Sequence, residues 1–193
     1  MTYPADLRVD APLEVDNWRP LVQWFLGIPH FFVANVLNQV AQALALVSWF
    51  IIVFTGRLPE GIAHFQSMVL RYEARAYSYG FFLRESYPPF AFDMVDHDPG
   101  TDPVKVDVRP QLEDRNRLTV GLRMFWIIPS LLFTFVVGIA AWFAVLVAFF
   151  AVLFTGRWPE GIHRFAVNAA RLVLRVNAYA RLLVDDYPPF ALD

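Results

Sequence analysis

An internal repeat constrains the fold of this chain more than any other feature of its sequence. The segment 54–62, Phe-Thr-Gly-Arg-Leu-Pro-Glu-Gly-Ile, recurs at 154–162 with Trp in place of Leu, and Tyr-Pro-Pro-Phe at 87–90 recurs at 187–190. Across 54–93 and 154–193, nineteen of forty aligned positions are identical without a gap. Identity over this length indicates a tandem duplication of one structural unit. We place the first repeat at 1–93, an acidic connector at 94–102 and the second repeat at 103–193.

Each repeat contains a long apolar block, at 18–54 and at 118–154. Each block has 37 residues and a single charged side chain, Arg19 or Arg123. The whole chain is 57% hydrophobic and 18% charged, whereas soluble domains are roughly 45–50% apolar and about 25% charged. This pattern predicts an all-α integral membrane protein. Each unit would combine a Pro-kinked hydrophobic helix or helical hairpin with a basic amphipathic interfacial helix, and the polar arms would add short β segments at 7–10 and 104–109.

Two arrangements of each apolar block in a membrane are compatible with its length. A helix of 37 residues is about 55 Å long, while one crossing of a ~30 Å hydrocarbon core needs about 20 residues. Pro29 and Pro129 lie at equivalent positions and are expected to break or kink the helix. We favour a hairpin in each block, turning near 35–38 and near Gly138, because it keeps both Arg-rich helices in the cytoplasm. The alternative is an inverted pair of single spans, each preceded by an interfacial stretch that ends at the proline.

The repeated motifs predict how a second helix follows each block. A glycine ends the apolar helix, a proline begins the next helix, and Tyr-Pro-Pro stops it. The structural motif residues are Pro29, Gly56, Pro59, Tyr87, Pro129, Gly156, Pro159 and Tyr187. This second helix carries an apolar stripe bordered by arginines, which is typical of a helix in the membrane interface. The predicted contacts with anionic lipid headgroups are Arg57, Arg71, Arg75, Arg157, Arg171 and Arg175.

Four amides share one helical face of the first apolar block. They are Asn35, Asn38, Gln39 and Gln42, and their equivalents in the second block are not polar. Amides inside a membrane commonly hydrogen-bond between helices, and we favour that role because no ionisable group accompanies them. The alternative is the lining of a water- or solute-filled cavity.

The sequence offers little catalytic chemistry. It has no Cys, and its four His residues have neither equivalent positions nor the i,i+4 spacing of a metal site. The Asp residues around Gly100 are interpreted as a hydrated connector and not as a cation site. We therefore predict no catalytic residue, no metal, no cofactor and no nucleic-acid partner.

The combination of motifs resembles a known family. Ile28-Pro-His30, segment 54–62 and Tyr-Pro-Pro-Phe at 87–90 are similar to the bacterial membrane family called domain of unknown function 4389. Ile128-Pro129, segment 154–162 and residues 187–190 repeat the pattern, with Ser130 in place of the His. The resemblance covers nearly the whole chain and implies a membrane location, which we expect to be the bacterial inner membrane. It implies no established activity, substrate or catalytic residue.

These observations lead to one functional hypothesis and one alternative. We expect a non-enzymatic structural or accessory subunit, multi-pass or re-entrant, with its amphipathic helices in the cytoplasm. Its partners would be membrane lipids and either other membrane subunits or further copies of itself. The alternative is a small oligomeric channel or a lipid-handling protein.

Overall fold

Each repeat contains a strand, then one short helix in the first copy or two in the second, and then two long helices. The structure, a computed structural model, describes residues 3–192, so the outermost residues of the predicted repeats, Met1, Thr2 and Asp193, lie outside the described residues. The first repeat contains β1 (Ala5–Val9), α1 (Arg19–Leu26), α2 (Ile28–Thr55) and α3 (Glu60–Gly80). The second repeat contains β2 (Val104–Val108), α4 (Arg117–Gly121), α5 (Arg123–Trp126), α6 (Ile128–Thr155) and α7 (Glu160–Ala180). The predicted predominance of helices, with short β segments in the arms, is confirmed.

The long helices α2 and α6 run without interruption through the places where a hairpin turn was expected. Each has 28 residues, which corresponds to about 42 Å. Pro29 and Pro129 lie in the first turn, where a missing N–H breaks no helical hydrogen bond. Gly56 and Gly156 end the helices with φ of 74° and 65°, a left-handed conformation that glycine adopts without strain. The hairpin prediction is therefore wrong: in each block one continuous long helix follows a short helix, and the break between them lies just before the proline.

The second helix of each repeat turns back along the first. Pro59 and Pro159 precede α3 and α7, and an acidic residue occupies the first turn of each, as predicted. Ala34 of α2 packs on Tyr72, and Ala41 packs on Val69, so α2 and α3 are antiparallel. The helices α6 and α7 pair in the same way. The apolar stripe of α3 thus covers its own neighbouring helix, which corrects the expectation that it lies freely in a membrane interface.

The two short strands pair into an antiparallel ribbon, with Leu7 opposite Val106. Leu7, Val104 and Val106 are buried on the inner face, which packs on α3 and α7. The alternate positions Arg8 and Lys105 belong to the outer face, because successive strand residues point to opposite sides. The ribbon is therefore amphipathic and joins the two repeats.

The polar arms after the strands, 10–17 and 109–117, are exchanged between the repeats. The Val15 N–H donates to the Gly156 carbonyl at 2.9 Å, and the Arg115 N–H donates to the Gly56 carbonyl at 3.2 Å. The Trp158 N–H likewise donates to the Leu13 carbonyl at 2.9 Å. Each arm thus binds the Gly-Arg turn of the other repeat, and the two copies interlock with approximate two-fold symmetry.

The helices α3 and α7 form a middle layer between the ribbon and the long helices. Trp158, just before α7, donates through Nε1 to the carbonyl of Phe82, just after α3, at 2.9 Å. The helices α3 and α7 are therefore antiparallel, and so are α2 and α6. On α3, Val69 and Tyr72 face α2, whereas Arg75 points to the ribbon. Because α7 repeats this arrangement through the two-fold symmetry, α2 and α6 lie on the side opposite the ribbon.

Candidate membrane-facing surface and buried charge layer

The outer sides of α1, α2, α4, α5 and α6 form a large exposed hydrophobic surface, here called the apolar face. Phe32 and Phe54 are 70% and 74% exposed, and Phe135 and Phe154 are 68% and 77% exposed. Two helical segments, Ile28–Thr55 and Arg123–Thr155, are long and apolar enough to cross a membrane, and only 17% of each apolar window is buried. The core helix of a soluble protein would be mostly buried. Exposed patches of this kind mark membrane or protein contacts.

Further exposed side chains extend this face along both repeats. They are Trp24, Phe25, Val36, Val40, Val47 and Phe50 in the first repeat and Phe125, Trp126, Val136, Trp142, Phe143, Val147 and Phe150 in the second.

The four predicted amides lie on α2 beside the apolar face. Asn35, Gln39 and Gln42 are exposed, and Asn38 is half-buried. The Gln42 amide donates to Asn38 Oδ1 at 3.1 Å, and Arg181 Nη2 donates to the same oxygen at 3.3 Å. Asn38 therefore joins α2 to the residue that ends α7.

Arg181 also forms a buried ion pair that the sequence analysis did not find. Its Nη2 donates to both carboxylate oxygens of Glu73, at 2.9 and 2.8 Å. Burial raises the pKa of Glu73 above its ordinary value, and the Arg181 charge offsets part of that rise. The pair escaped sequence analysis because its members lie in different repeats and because their equivalents, Val173 and Phe81, are apolar.

A groove of about 370 Å³ lies between α3, α6 and α7. Glu73, Gly138, Trp142 and Val173 are among the residues that line it. At the symmetry-related position, between α7 and α2, Arg181 reaches across to Asn38. The two copies differ at this point because an arginine and an amide in one gap are replaced by a phenylalanine and a glycine in the other.

The arginines of α3 lie in a buried layer of charge beneath the connector. Arg75 Nη2 contacts Asp98 Oδ1 at 3.0 Å, and Arg71 Nε lies 3.7 Å from Asp98 Oδ2. Arg84 binds Asp102, whose carboxylate also accepts the Val104 N–H at 2.8 Å. Arg71 and Arg75 were predicted to contact lipid headgroups, but here they hold the connector. Asp98 and Asp102, predicted to be hydrated, are buried with them.

The matching arginines of α7 hold the first strand. Arg171 Nε contacts Asp6 Oδ1 at 2.9 Å and donates to the Leu7 carbonyl at 3.0 Å. Arg175 Nε donates to the Ala5 carbonyl at 3.4 Å, and Arg175 is buried. These two placements also depart from the predicted headgroup contact, because both side chains turn toward the ribbon. The sequence pattern of arginines that border an apolar stripe is the same whether these arginines contact lipid or a strand.

Arg57 and Arg157 remain accessible at the ends of the long helices. Their side chains are 71% and 63% exposed. Each lies near a glutamate of the exchanged arm, Glu113 at 3.9 Å and Glu14 at 4.0 Å. Each also follows an exposed phenylalanine by three positions. Among the six predicted headgroup contacts, this pair has the exposure that such contact requires.

The Tyr-Pro-Pro-Phe segments fold back against the helix pairs. The ring of Tyr87 lies 4.7 Å from that of His30 and 5.2 Å from that of Tyr79, and Tyr187 lies 5.5 Å from Tyr179. His30 Nδ1 is also 2.8 Å from the Tyr72 hydroxyl. The repeated tyrosines thus close each repeat by packing on its own second helix.

Asp185 forms a second buried cluster, with Arg115 and Arg123. The Arg115 Nε donates to Asp185 Oδ2 at 2.9 Å, and its Nη1 donates to the Leu182 carbonyl at 2.8 Å. Burial by itself would raise the pKa of Asp185, but hydrogen bonds and charge from Arg115 and Arg123 outweigh it and lower the pKa below its ordinary value. This cluster fixes the second arm to the end of α7.

One group of side chains has the composition of a metal site. Ligand atoms of Glu60, His64 and Asp96 lie within 4.8 Å of one another. Both carboxylates are exposed, and His64 Nε2 lies 2.6 Å from Asp96 Oδ1. The pairing of His64 with Asp96 accounts for this arrangement without a cation.

Comparison with known proteins assigns the family. The profile of a family described as "Domain of unknown function (DUF4389)" matches residues 17–91 and again 117–191. The chain belongs to this family. Each match lies within one predicted repeat, so the chain carries two family domains, and the resemblance noted in the sequence is confirmed. No curated protein and no solved structure matches the chain.

Proposed function

We propose that this protein is a non-enzymatic membrane subunit of the bacterial inner membrane, which packs against lipid and against other membrane proteins. The apolar face carries the proposal. Exposed phenylalanines and valines follow α2 and α6 over their whole length, and water solvates such a surface poorly. The buried charged clusters support a structural role, because Arg75, Arg115 and Arg181 each bind a carboxylate across elements.

Lipid is the first partner that the surface fits. Arg57 and Arg157 are exposed next to the ends of the apolar helices, where cations meet anionic headgroups. Lateral contact with another subunit, or with a further copy of this chain, would use the same face. Aromatic side chains such as Trp142 and Phe143 provide large contact areas there.

Membrane residence is tested by fractionation of cells that express the protein. We expect the protein in the membrane pellet after washes with alkaline carbonate and with urea, and its release by detergent alone. Recovery in the soluble fraction as a monodisperse species without detergent would refute the proposal.

The accessory role needs a second experiment. The protein is purified in mild detergent, and whatever co-purifies is identified and quantified. A membrane protein retained in a fixed ratio supports a subunit role. The contact would lie on the apolar face if exchange of Trp142 and Phe143 for Ala abolished the retention of that protein. Exchange of Arg8 for Ala, on the ribbon, should leave the retention unchanged.

The groove between α3, α6 and α7 favours lipid handling as a second candidate function. Its lining is mostly aliphatic, with Glu73 at one side, and its volume of about 370 Å³ admits part of an acyl chain. Co-purification of lipid in a fixed ratio, reduced by Gly138→Leu, would favour this candidate.

The amides on α2 provide a separate test, of transport. Loss of solute flux with unchanged assembly after Asn38→Leu and Gln42→Leu would favour a channel.

A further inference from the structure

The positions of the polar elements constrain how the apolar face meets a bilayer. The long helices α2 and α6 are antiparallel, so the two-fold axis of the repeats is perpendicular to both. If α2 and α6 crossed the membrane, this axis would lie in the plane of the bilayer. If they lay along the membrane surface, the axis would be the membrane normal.

The ribbon lies opposite the interior of the long helices and not beyond their ends. Arg71 and Arg75, which bind the connector and the ribbon, flank Tyr72 on α3. Tyr72 packs on Ala34 of α2, which is about 11 Å along the helix from the α2 midpoint. Half of a hydrocarbon core is about 15 Å. In a spanning orientation, the ribbon and connector would therefore lie at the depth of the acyl chains.

That depth is incompatible with the ribbon and the connector. Within residues 3–192 the ribbon has two strands, and each has an edge without a neighbouring strand. Open sheet edges and irregular loops do not face lipid. Its outer face also carries Arg8, whose side chain is 72% exposed, and Lys105, paired with Asp10 at 2.7 Å. Exposed ions of this kind are strongly disfavoured in hydrocarbon.

The residues at the middle of each long helix independently indicate how the helix is oriented in the membrane. Gln42 lies at the centre of α2 and is exposed, and Trp142 at the centre of α6 is 61% exposed. Tryptophan is enriched at the membrane–water interface, and an exposed amide is costly at the bilayer centre. Both residues suit helices whose centres lie at the same shallow depth as their ends.

We propose that this protein lies in a single leaflet, with α2 and α6 parallel to the membrane plane, the apolar face among the upper acyl chains and the ribbon in the cytoplasm. This inference rests on the proposed membrane residence and adds the orientation. Arg57 and Arg157, at opposite ends of the molecule, then meet headgroups of the same leaflet. No arginine-rich segment needs to cross the membrane, so the positive-inside bias is satisfied in both repeats.

Depth measurements along α2 test this orientation. The chain has no native Cys, so single cysteines at Phe32, Val40, Val47 and Phe54 can carry a fluorophore. These positions are 70%, 45%, 47% and 74% exposed. The protein is reconstituted in phosphatidylcholine–phosphatidylglycerol vesicles that contain lipids with a nitroxide at the headgroup, the upper chain or the lower chain.

We expect all four labels to be quenched with similar efficiency, most strongly by the upper-chain nitroxide. Strong lower-chain quenching at Val40 and Val47, with headgroup quenching at Phe32 and Phe54, would overturn the orientation while leaving membrane residence intact. If no nitroxide quenched any label, membrane residence would fail as well.

Thiol accessibility in cells provides the second measurement. Arg8→Cys, Arg57→Cys and Arg157→Cys are exposed to an impermeant reagent in intact and in permeabilised cells. We expect all three to react only after permeabilisation. Labelling of Arg57→Cys and Arg157→Cys from opposite sides would show that the long helices span the membrane.

Discussion

At the scale of single residues, the differences between the two copies carry more information than their identities. Glu73 and Arg181 pair across the repeats, while their equivalents Val173 and Phe81 are apolar. A buried pair of this kind stabilises weakly compared with an apolar replacement, but the loss of one partner leaves an isolated buried charge. The chain therefore supplies its own matched substitutions for measuring the pair.

The first prediction concerns this pair. Arg181→Phe is expected to destabilise the protein by about 3–5 kcal/mol, because it leaves the Glu73 carboxylate buried without a partner. The double variant Glu73→Val with Arg181→Phe recovers most of that loss, since it leaves no buried charge and each changed position carries the residue of its equivalent, Val173 or Phe81. The measurement is the unfolding midpoint in lipid nanodiscs. Equal losses of stability in the single and double variants would show that the unpaired Glu73 carboxylate is not the cause.

The pH dependence of the single variant is the second prediction. Without Arg181, burial alone acts on Glu73, so its folded pKa rises further above the unfolded value of 4.5. The folded state then binds a proton more readily than the unfolded state, so stability is lost as pH rises through the folded pKa. We expect the unfolding midpoint of Arg181→Phe to rise as the pH is lowered from neutral toward 4.5, and by more than in the wild type. Adding Glu73→Gln removes the titrating group and serves as the control.

At the scale of elements, the exchanged arms decide how the repeats are held together. Each arm bonds to the Gly-Arg turn of the other copy, through Val15 to Gly156 and through Arg115 to Gly56. The repeated motif Phe-Thr-Gly-Arg is thus both a helix end and a docking point. Sequence analysis identified the helix end from Gly56 and Gly156, because a left-handed cap is a local property. Docking of the arm joins residues that are 141 and 59 positions apart in the sequence, and local patterns do not specify such contacts.

The third prediction tests the exchange with an engineered disulfide. Glu14 and Arg157 form an isolated antiparallel bridge, in which Cα atoms are about 4.5–5.5 Å apart. This spacing suits a disulfide. We expect Glu14→Cys with Arg157→Cys to form an intramolecular disulfide that changes mobility in non-reducing gels. Glu14→Cys with Arg57→Cys pairs the arm with the turn of its own repeat, and cross-linking of that control in place of the first variant would disprove the exchange.

At the scale of the whole molecule, the two copies form one structure and not two adjoining domains. The ribbon takes one strand from each copy, and α3 packs on α7. Trp158 of the second copy is buried and donates to Phe82 of the first. A large part of the buried surface is therefore shared between the repeats.

The fourth prediction follows from that shared surface. When 1–93 with a tag and 94–193 without one are produced together, we expect the tagged half to retain the other half in a one-to-one ratio. Removal of β1 and the first arm, as 18–93, is expected to weaken retention because the pairing with β2 and the bonds to Gly156 and Trp158 are lost. A half that purifies alone as a stable monomer would contradict this prediction.

The sequence by itself determined the duplication, the boundary between the two long helices of each repeat and the approximate positions of the strands. The duplication is visible by comparing the chain with itself. The helix ends at Gly56 and Gly156 and the helix starts after Pro59 and Pro159 depend on neighbouring residues, and so do the strands, predicted at 7–10 and 104–109 and found at Ala5–Val9 and Val104–Val108. Steric and hydrogen-bonding rules of the backbone are local, so a single sequence suffices to apply them.

Only the tertiary structure decided what covers each apolar or charged side chain. A continuous α2, the burial of Arg71 and Arg75 against Asp98, and the pairing of Glu73 with Arg181 depend on contacts between distant segments. Helical periodicity shows that a helix has an apolar side, but it does not distinguish lipid from another helix as the covering surface, because both exclude water equally well.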